Sequence, residues 1–371
     1  MKEQIIDLTR RLVEIPSVTG DEWECQRIIE MAVEMIGPRA MRREFVRTNT
    51  KGESVRSVLW GDENTMMEPR LLLAGHIDVV AAAANQFDAK IVGDRLYGRG
   101  AGDMKGFDAA MLVAYGKWID EGGPRGVGLL LTSDEEVGGF DGARYVVEKE
   151  GLRPDVVFIP DGEFDFDIVE SQKAPHHFHI QADGVGGHAS RAYRIDNPLN
   201  RVIKLYQAMR TKYSLATLQN DWQSTFEMTV LETKNGSANK IPAEVEAWFS
   251  WRWPLEQFGF AEGVADMNRL AKEFDCQILP DGHGGGEGCL TQRTDTCVMT
   301  WKGIIEKQLR REVGYTNMHG ATDGRHFYKY GARVLVTSGL SGGAHAIDEW
   351  VDLPSLVDLA EAIGIYAKEL K

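Results

Sequence analysis

Five side chains able to bind a divalent cation stand just past apolar, strand-like runs in this chain: His76, Asp103, Glu136, Asp161 and His345. Two imidazoles and three carboxylates are donors a catalytic zinc centre uses, and they leave positions open for water and a substrate oxygen. A two-metal hydrolytic site needs such donors brought together from separate strands, with one carboxylate able to bridge. The run LLLAGHID at 71–78 ends in His76 and Asp78, and GVGLLLTSDEE at 126–136 ends in Glu135 and Glu136. DVVFIPDGE at 155–163 delivers Asp161, with Glu163 as a rival ligand two residues on. ARVLVTSGLSGGAH at 332–345 delivers His345 after a glycine-rich turn. In open α/β sheets, functional groups gather in the crevice beyond the carboxyl ends of strands. The pattern follows that rule four times.

The elements that must position these groups are legible around them. Strand-like runs at 70–75, 127–132, 155–160 and 332–337 alternate with helical patterns at 104–120, 141–150 and 296–313. That alternation predicts an α/β fold, a mostly parallel sheet with helices on both faces. Helices are also expected at 3–14, 21–36 and 354–370, with Pro16 stopping the first and Ser17 to Asp21 offering caps for the second. The middle reads differently. Strands at 176–184, 224–236, 243–254 and 276–280 interleave with helices at 197–212 and 260–274. Strand, helix, two strands, helix, strand is the ferredoxin-like order. We therefore expect a catalytic domain over 1–173 and 286–371, and an inserted α+β domain over 174–285, with the glycine-rich DGHGGGEG at 281–288 as the return linker.

Composition narrows the function classes. The 371 residues carry 56 acidic and 42 basic side chains, a formal charge of −14. Nucleic acid is an unexpected partner, since phosphate binding needs a basic surface. The four cysteines form no CxxC pair, which argues against a thiolate zinc site and for a reducing compartment. No stretch of about 18 apolar residues predicts a membrane span. The first residues are amphipathic, not a continuous apolar segment, so a cytoplasmic location is expected. The cluster His176, His177 and His179 lacks a neighbouring carboxylate pattern and reads as sheet surface or hinge. Trp248, Trp251 and Trp253 read as core or interface packing.

GHID at 75–78, GRGAGDMKG at 98–106, TSDEEVGG at 132–139 and GGAHAIDE at 342–349 together resemble the metallopeptidase M20 family, in order and spacing over nearly the whole chain. One such motif would be weak; four in series are specific. The resemblance implies two divalent ions, with His76 and Asp161 on one, Glu136 and His345 on the other, and Asp103 bridging. Zinc is the first expectation, and manganese or cobalt would accept the same donors. Asp78 would accept the other N–H of the His76 ring and fix its tautomer. Glu135 would be the general base.

In the insert, GVGGHAS at 184–190 resembles the family's lid motif, which implies that His188 reaches the other subunit's active site in a homodimer and stabilises the oxyanion. NKIP at 239–242 and WFSWRWP at 248–254 match further lid signatures, with Asn239 donating to substrate and Arg252 pairing with a substrate carboxylate. ATDGRHF at 321–327 resembles the segment before the last strand; Gly320 and Thr322 would line the pocket, with Asp323 and Arg325 structural. The PDGE around Asp161 departs from the Glu-Pro of many deacylases and is closer to dipeptidase branches. The expected activity is amide hydrolysis of a small, carboxylate-bearing substrate by a dipeptidase or related exopeptidase. The alternative is an N-acyl amino acid deacylase, such as a succinyl-diaminopimelate desuccinylase or acetylornithine deacetylase. An inactive relative acting as a binding protein is a third reading, against which the retention of every ligand and of Glu135 speaks.

Overall fold

Strands buried on both faces of a parallel sheet must be apolar at every position, not at alternate ones. The computed structural model, which describes residues 1–123, 125–280 and 285–370, obeys this at the predicted runs. In chain order the strands that matter first are β1 (Met41–Thr48), β2 (Ser54–Gly61), β3 (Leu71–His76), β4 (Val127–Thr132) and β5 (Val156–Ile159). There follow β6 (Ala174–Asp183), β7 (Thr225–Glu232), β8 (Glu244–Trp253), β9 (Gln277–Leu279) and β10 (Arg333–Val336). The chain divides into two units: Met1–Glu170 with Leu290–Thr316 and Thr322–Lys371, and Ser171–Cys289 with Asn317–Ala321.

The first unit is built on a six-stranded sheet in the order β1-β2-β4-β3-β5-β10. β4, β3, β5 and β10 run parallel, and β2 and β1 continue the sheet antiparallel. Leu71, Leu73, Leu129, Leu131, Phe158 and Leu335 enter one large core, while the alternate residues Leu72, Leu130 and Val157 are equally buried on the opposite face. Helix Gly106–Asp120 packs on Lys2–Val13 and on Leu353–Glu369. It is apolar around most of its circumference because it is enclosed on nearly all sides. Helix starts carry the expected caps: Asp21 accepts from the Glu24 N–H and Asp352 from the Ser355 N–H.

The second unit carries a four-stranded antiparallel sheet in the order β7-β8-β6-β9, with helices Pro198–Lys212 and Phe260–Glu273. This is the ferredoxin-like arrangement. β8 alternates half-buried and buried residues along its length, so every second side chain, from Val245 to Trp253, enters the core of this unit. Trp251 and Trp253 are fully buried with ring centroids 4.4 Å apart, as core packing requires, and Trp248 stacks on His179 at 4.0 Å. The stretch read as a return linker lies outside the described residues over 281–284.

Candidate metal centre

His76 ends β3, in register with Thr132 at the end of β4, so the loops after both strands open on the same edge of the sheet. Gly75 allows this close packing. A methyl group there would lie 2.1 Å from Asp108 Oδ1 and 2.7 Å from Met111 Cε. Asp103 comes from the turn before helix Gly106–Asp120, Glu136 from the turn after β4, Asp161 from the turn after β5, and His345 from the loop after β10.

These five side chains form two groups joined at Asp103. Ligand atoms of His76, Asp103 and Asp161 lie within 4.8 Å of one another, and so do those of Asp103, Glu136 and His345. His76 Nε2 is 3.1 Å from Asp103 Oδ1, and His345 Nε2 is 3.1 Å from Asp103 Oδ2 and 3.0 Å from Glu136 Oε2. One carboxylate thus turns an oxygen to each imidazole. Glu163, the rival to Asp161, belongs to neither group; its Oε1 accepts from the Ala344 N–H at 2.6 Å and steadies the His345 loop.

The electrostatics are those of a site made for cations. Burial pushes the Asp161 carboxyl up to about 7, with the Asp103 charge adding to the effect. Burial likewise holds Glu135 well above the usual carboxylate range, against the pull of His76. For Asp103 burial also acts upward, but hydrogen bonds from His345 and His76 outweigh it and the carboxyl is lowered. The Asp103 and Glu136 carboxylates raise His345 to about 10. Divalent cations are the strongest local charges a protein can place, and among these donors they would hold the carboxylates ionised and the imidazoles neutral. Imidazole nitrogens and carboxylate oxygens of this number fit zinc-like ions.

Asp78 is fully buried and faces both the His76 ring and the Glu135–Glu136 turn. His76 Nδ1 lies 3.0 Å from the Asp78 backbone carbonyl, and only 3.5 Å separates it from the carboxylate Oδ1. The carboxylate also accepts from Thr19 Oγ1 at 2.7 Å and from the backbone N–H groups of Glu135 at 3.2 Å and Glu136 at 3.3 Å. The Asp78 carbonyl and carboxylate thus both face the ring, and the carboxylate ties it to the Glu135–Glu136 turn. That turn is held from its other side by Arg325, whose Nη2 donates to the Gly138 carbonyl at 2.6 Å, and by His326 Nε2 on the same oxygen at 3.0 Å. Asp323 accepts from Thr132 Oγ1 at 3.2 Å. His76, Glu135, Asp161 and Asp323 line one cavity, walled by Met104 and Phe327.

Within the second unit, His188 and Asn239 come together. Gly187–His188 pairs with Lys240–Ile241, the Ala189 N–H donates to the Asn239 carbonyl at 2.8 Å, and exposed His188 keeps its Nδ1 beside Ser190 Oγ at 2.8 Å. Arg252 lies half-buried on β8, opposite Thr225 on one side and Pro175 on the other. His179 pairs with Glu246 at 2.9 Å, and His176 packs on Phe178 and Phe260. None of the three clustered histidines enters a group that could hold a metal, among the described residues. Arg99 and Glu349 stand inside the motifs GRGAGDMKG and GGAHAIDE, but no local pattern in the sequence distinguishes them from their neighbours.

Residues 72–369 match the model of peptidase family M20/M25/M40. The chain is similar to a succinyl-diaminopimelate desuccinylase of Maricaulis maris, 26% identical over 99% of this chain and 95% of the relative. In fold it resembles a tripeptidase from Staphylococcus aureus (TM-score 0.78, 20% identity, 100% of this chain and 98% of that one). It also resembles an M20 family metallo-carboxypeptidase from Sulfolobus solfataricus (TM-score 0.76, 19% identity, 99% of each chain). A dinuclear metal-binding M20 peptidase from Bacillus subtilis superposes with a TM-score of 0.67 at 15% identity, over 99% of this chain and 97% of that one. No helix among the described residues is long and apolar enough to cross a membrane. The match over most of the chain carries the conclusion: this protein belongs to peptidase family M20/M25/M40, and its chemistry is hydrolysis of amide bonds.

Proposed function

We propose that the protein is a two-metal exopeptidase acting on small, carboxylate-bearing peptides, dipeptides first among them. The observation that carries this reading is the pair of ligand groups sharing Asp103, with one oxygen 3.1 Å from His76 and the other 3.1 Å from His345. His76 and Asp161 would hold one ion, Glu136 and His345 the other, and Asp103 both. Two divalent ions there, zinc by preference, would lower the pKa of an attacking water and polarise the scissile carbonyl.

The chain's own residues do the rest. Glu135 takes the proton from the attacking water and passes it to the leaving amine; burial keeps its carboxyl basic enough for the task. Asp78 fixes Glu135 and Glu136 relative to each other through their backbone N–H groups. In this reading the insert, residues 174–285, is a lid and dimerisation domain. From it His188 would reach the other subunit's active site and stabilise the oxyanion, Asn239 would donate to the substrate, and Arg252 would pair with the substrate carboxylate through its fork of donors. Light scattering tests the dimer. The charge balance and cysteine usage support a cytoplasmic enzyme.

A deacylase reading has its own support in the desuccinylase relative, which matches almost end to end. The short Asp161 side chain, in place of a glutamate, supports the peptide reading by changing the wall beside the ion. Metal-reconstituted protein assayed against dipeptides and against N-acetyl and N-succinyl amino acids, with and without chelator, separates the two. Chelator-sensitive turnover of dipeptides alone supports the exopeptidase; turnover of acyl amino acids alone overturns it in favour of the deacylase.

A further inference from the structure

Asp103 and His345 reach the centre on irregular backbone, unlike His76, which ends a buried strand. His345 has φ of 63°, the left-handed region that a residue with a Cβ enters at a cost, and its side chain is half exposed. Packing alone does not confine it. One buried ion pair reaches both segments. Glu349 Oε1 accepts from the backbone N–H groups of Gly102 at 3.0 Å and Asp103 at 3.1 Å. Its Oε2 pairs with Arg99 Nη1, and Arg99 Nη2 donates to the His345 carbonyl at 2.8 Å. The two side chains are 1% and 4% exposed.

A buried ion pair is weak evidence for stability, because well-packed apolar residues of similar volume often replace it without loss. Apolar residues cannot supply directed bonds to three backbone groups on two ligand-bearing segments. We propose that Arg99 and Glu349 are positioning residues of the metal centre, locking the His345 loop to the Asp103 turn so that Asp103, Glu136 and His345 close on an ion. The proposal rests on the two-metal reading above. It implies an asymmetry. The ion on His345 depends on the latch. The ion on His76 and Asp161 depends on it less, because His76 is fixed by β3.

The test is titration of the metal-stripped full chain with Co2+, followed by calorimetry and visible absorption, in the parent and two variants. Arg99→Lys keeps the charge beside Glu349 but loses the planar fork that serves Glu349 and His345 together. Arg99→Met with Glu349→Leu removes the pair as an apolar replacement. In both variants the second Co2+ is expected to bind about 10- to 100-fold more weakly, the usual cost of losing an outer partner of a ligand. The first should stay within about threefold, below the loss a disturbed ligand shell shows. Thermal unfolding of the metal-free double variant should stay close to the parent. Parent-like binding of both ions in both variants overturns the latch, as does parallel weakening of both ions with a lowered melting temperature, which marks a structural role. If the double variant does not fold, Arg99→Lys decides alone. A parent that binds fewer than two ions overturns the metal reading itself and the latch with it.

Discussion

Replacing Asp78 by Asn separates the positioning of Glu135 from the binding of metal. The carboxylate divides its work: Oδ2 accepts from Thr19 Oγ1 and the Glu136 N–H, and Oδ1 accepts from the Glu135 N–H and stands 3.5 Å from His76 Nδ1, which keeps the Asp78 carbonyl at 3.0 Å. Asparagine has one acceptor oxygen and one donor NH2. The favoured orientation keeps the oxygen on the side with two donors, so the NH2 faces the Glu135 N–H. A buried donor left without an acceptor costs about 1–3 kcal/mol. Glu135 must shift to relieve it, while Glu136, a ligand in the two-metal reading, keeps its bond. If about 1.4–2.7 kcal/mol of that cost is felt in the transition state, kcat falls about 10- to 100-fold. KM for a good substrate should change little, and the metal content should stay at two ions. Steady-state kinetics on the metal-loaded variant, with metal analysis of the same sample, measure all three. An unchanged kcat, or loss of the ions in step with activity, would refute the assignment of Asp78 to the Glu135 turn.

Gly75→Ala should destabilise the chain by about 1–3 kcal/mol, as overpacking does, because the added methyl meets Asp108 Oδ1 at 2.1 Å; urea unfolding of the metal-free protein reads this, and parent-like stability contradicts the packing. His326 is held well below its usual pKa by burial and by the Arg325 charge. A histidine depressed in the folded state contributes stability that is present above about pH 6.5 and lost as pH falls below it. The stability advantage of the parent over His326→Gln should therefore shrink between about pH 7 and pH 5, the span over which a free imidazole takes up its proton; an advantage that grows on acidification contradicts the buried neutral ring. Glu135→Gln should lower kcat by about 10²- to 10⁴-fold without removing either ion, and full activity in that variant would end its role as base.

The parts of this molecule legible in its sequence are those where one periodicity dominates. β3, β4, β5 and β10 are apolar at consecutive positions, and β8 alternates, so both fall within a residue or two of the expected spans. β1 was not legible, because MRREFVRT buries only Phe45 and exposes its charges along a sheet edge. Four of the five candidate ligands stand in the four motifs and Asp161 stands outside them, while partners set by backbone direction could not be read. Asp78 stands two residues after His76 with its carboxylate Oδ1 3.5 Å from the ring, but the shares taken by its own carbonyl, by Thr19 and by the Glu135 turn are set by the path of the backbone. Arg99 and Glu349 lie 250 positions apart and meet only once the sheet has formed.

The proposed chemistry needs a pair of ions held by one shared aspartate. A crystal of the metal-loaded protein, with anomalous scattering recorded at the metal edge, tests it most directly. The predicted result is two peaks about 3.5–4 Å apart, one beside His76 and Asp161, the other beside Glu136 and His345, with an Asp103 oxygen on each. A single peak, or two peaks that share no Asp103 oxygen, would contradict it.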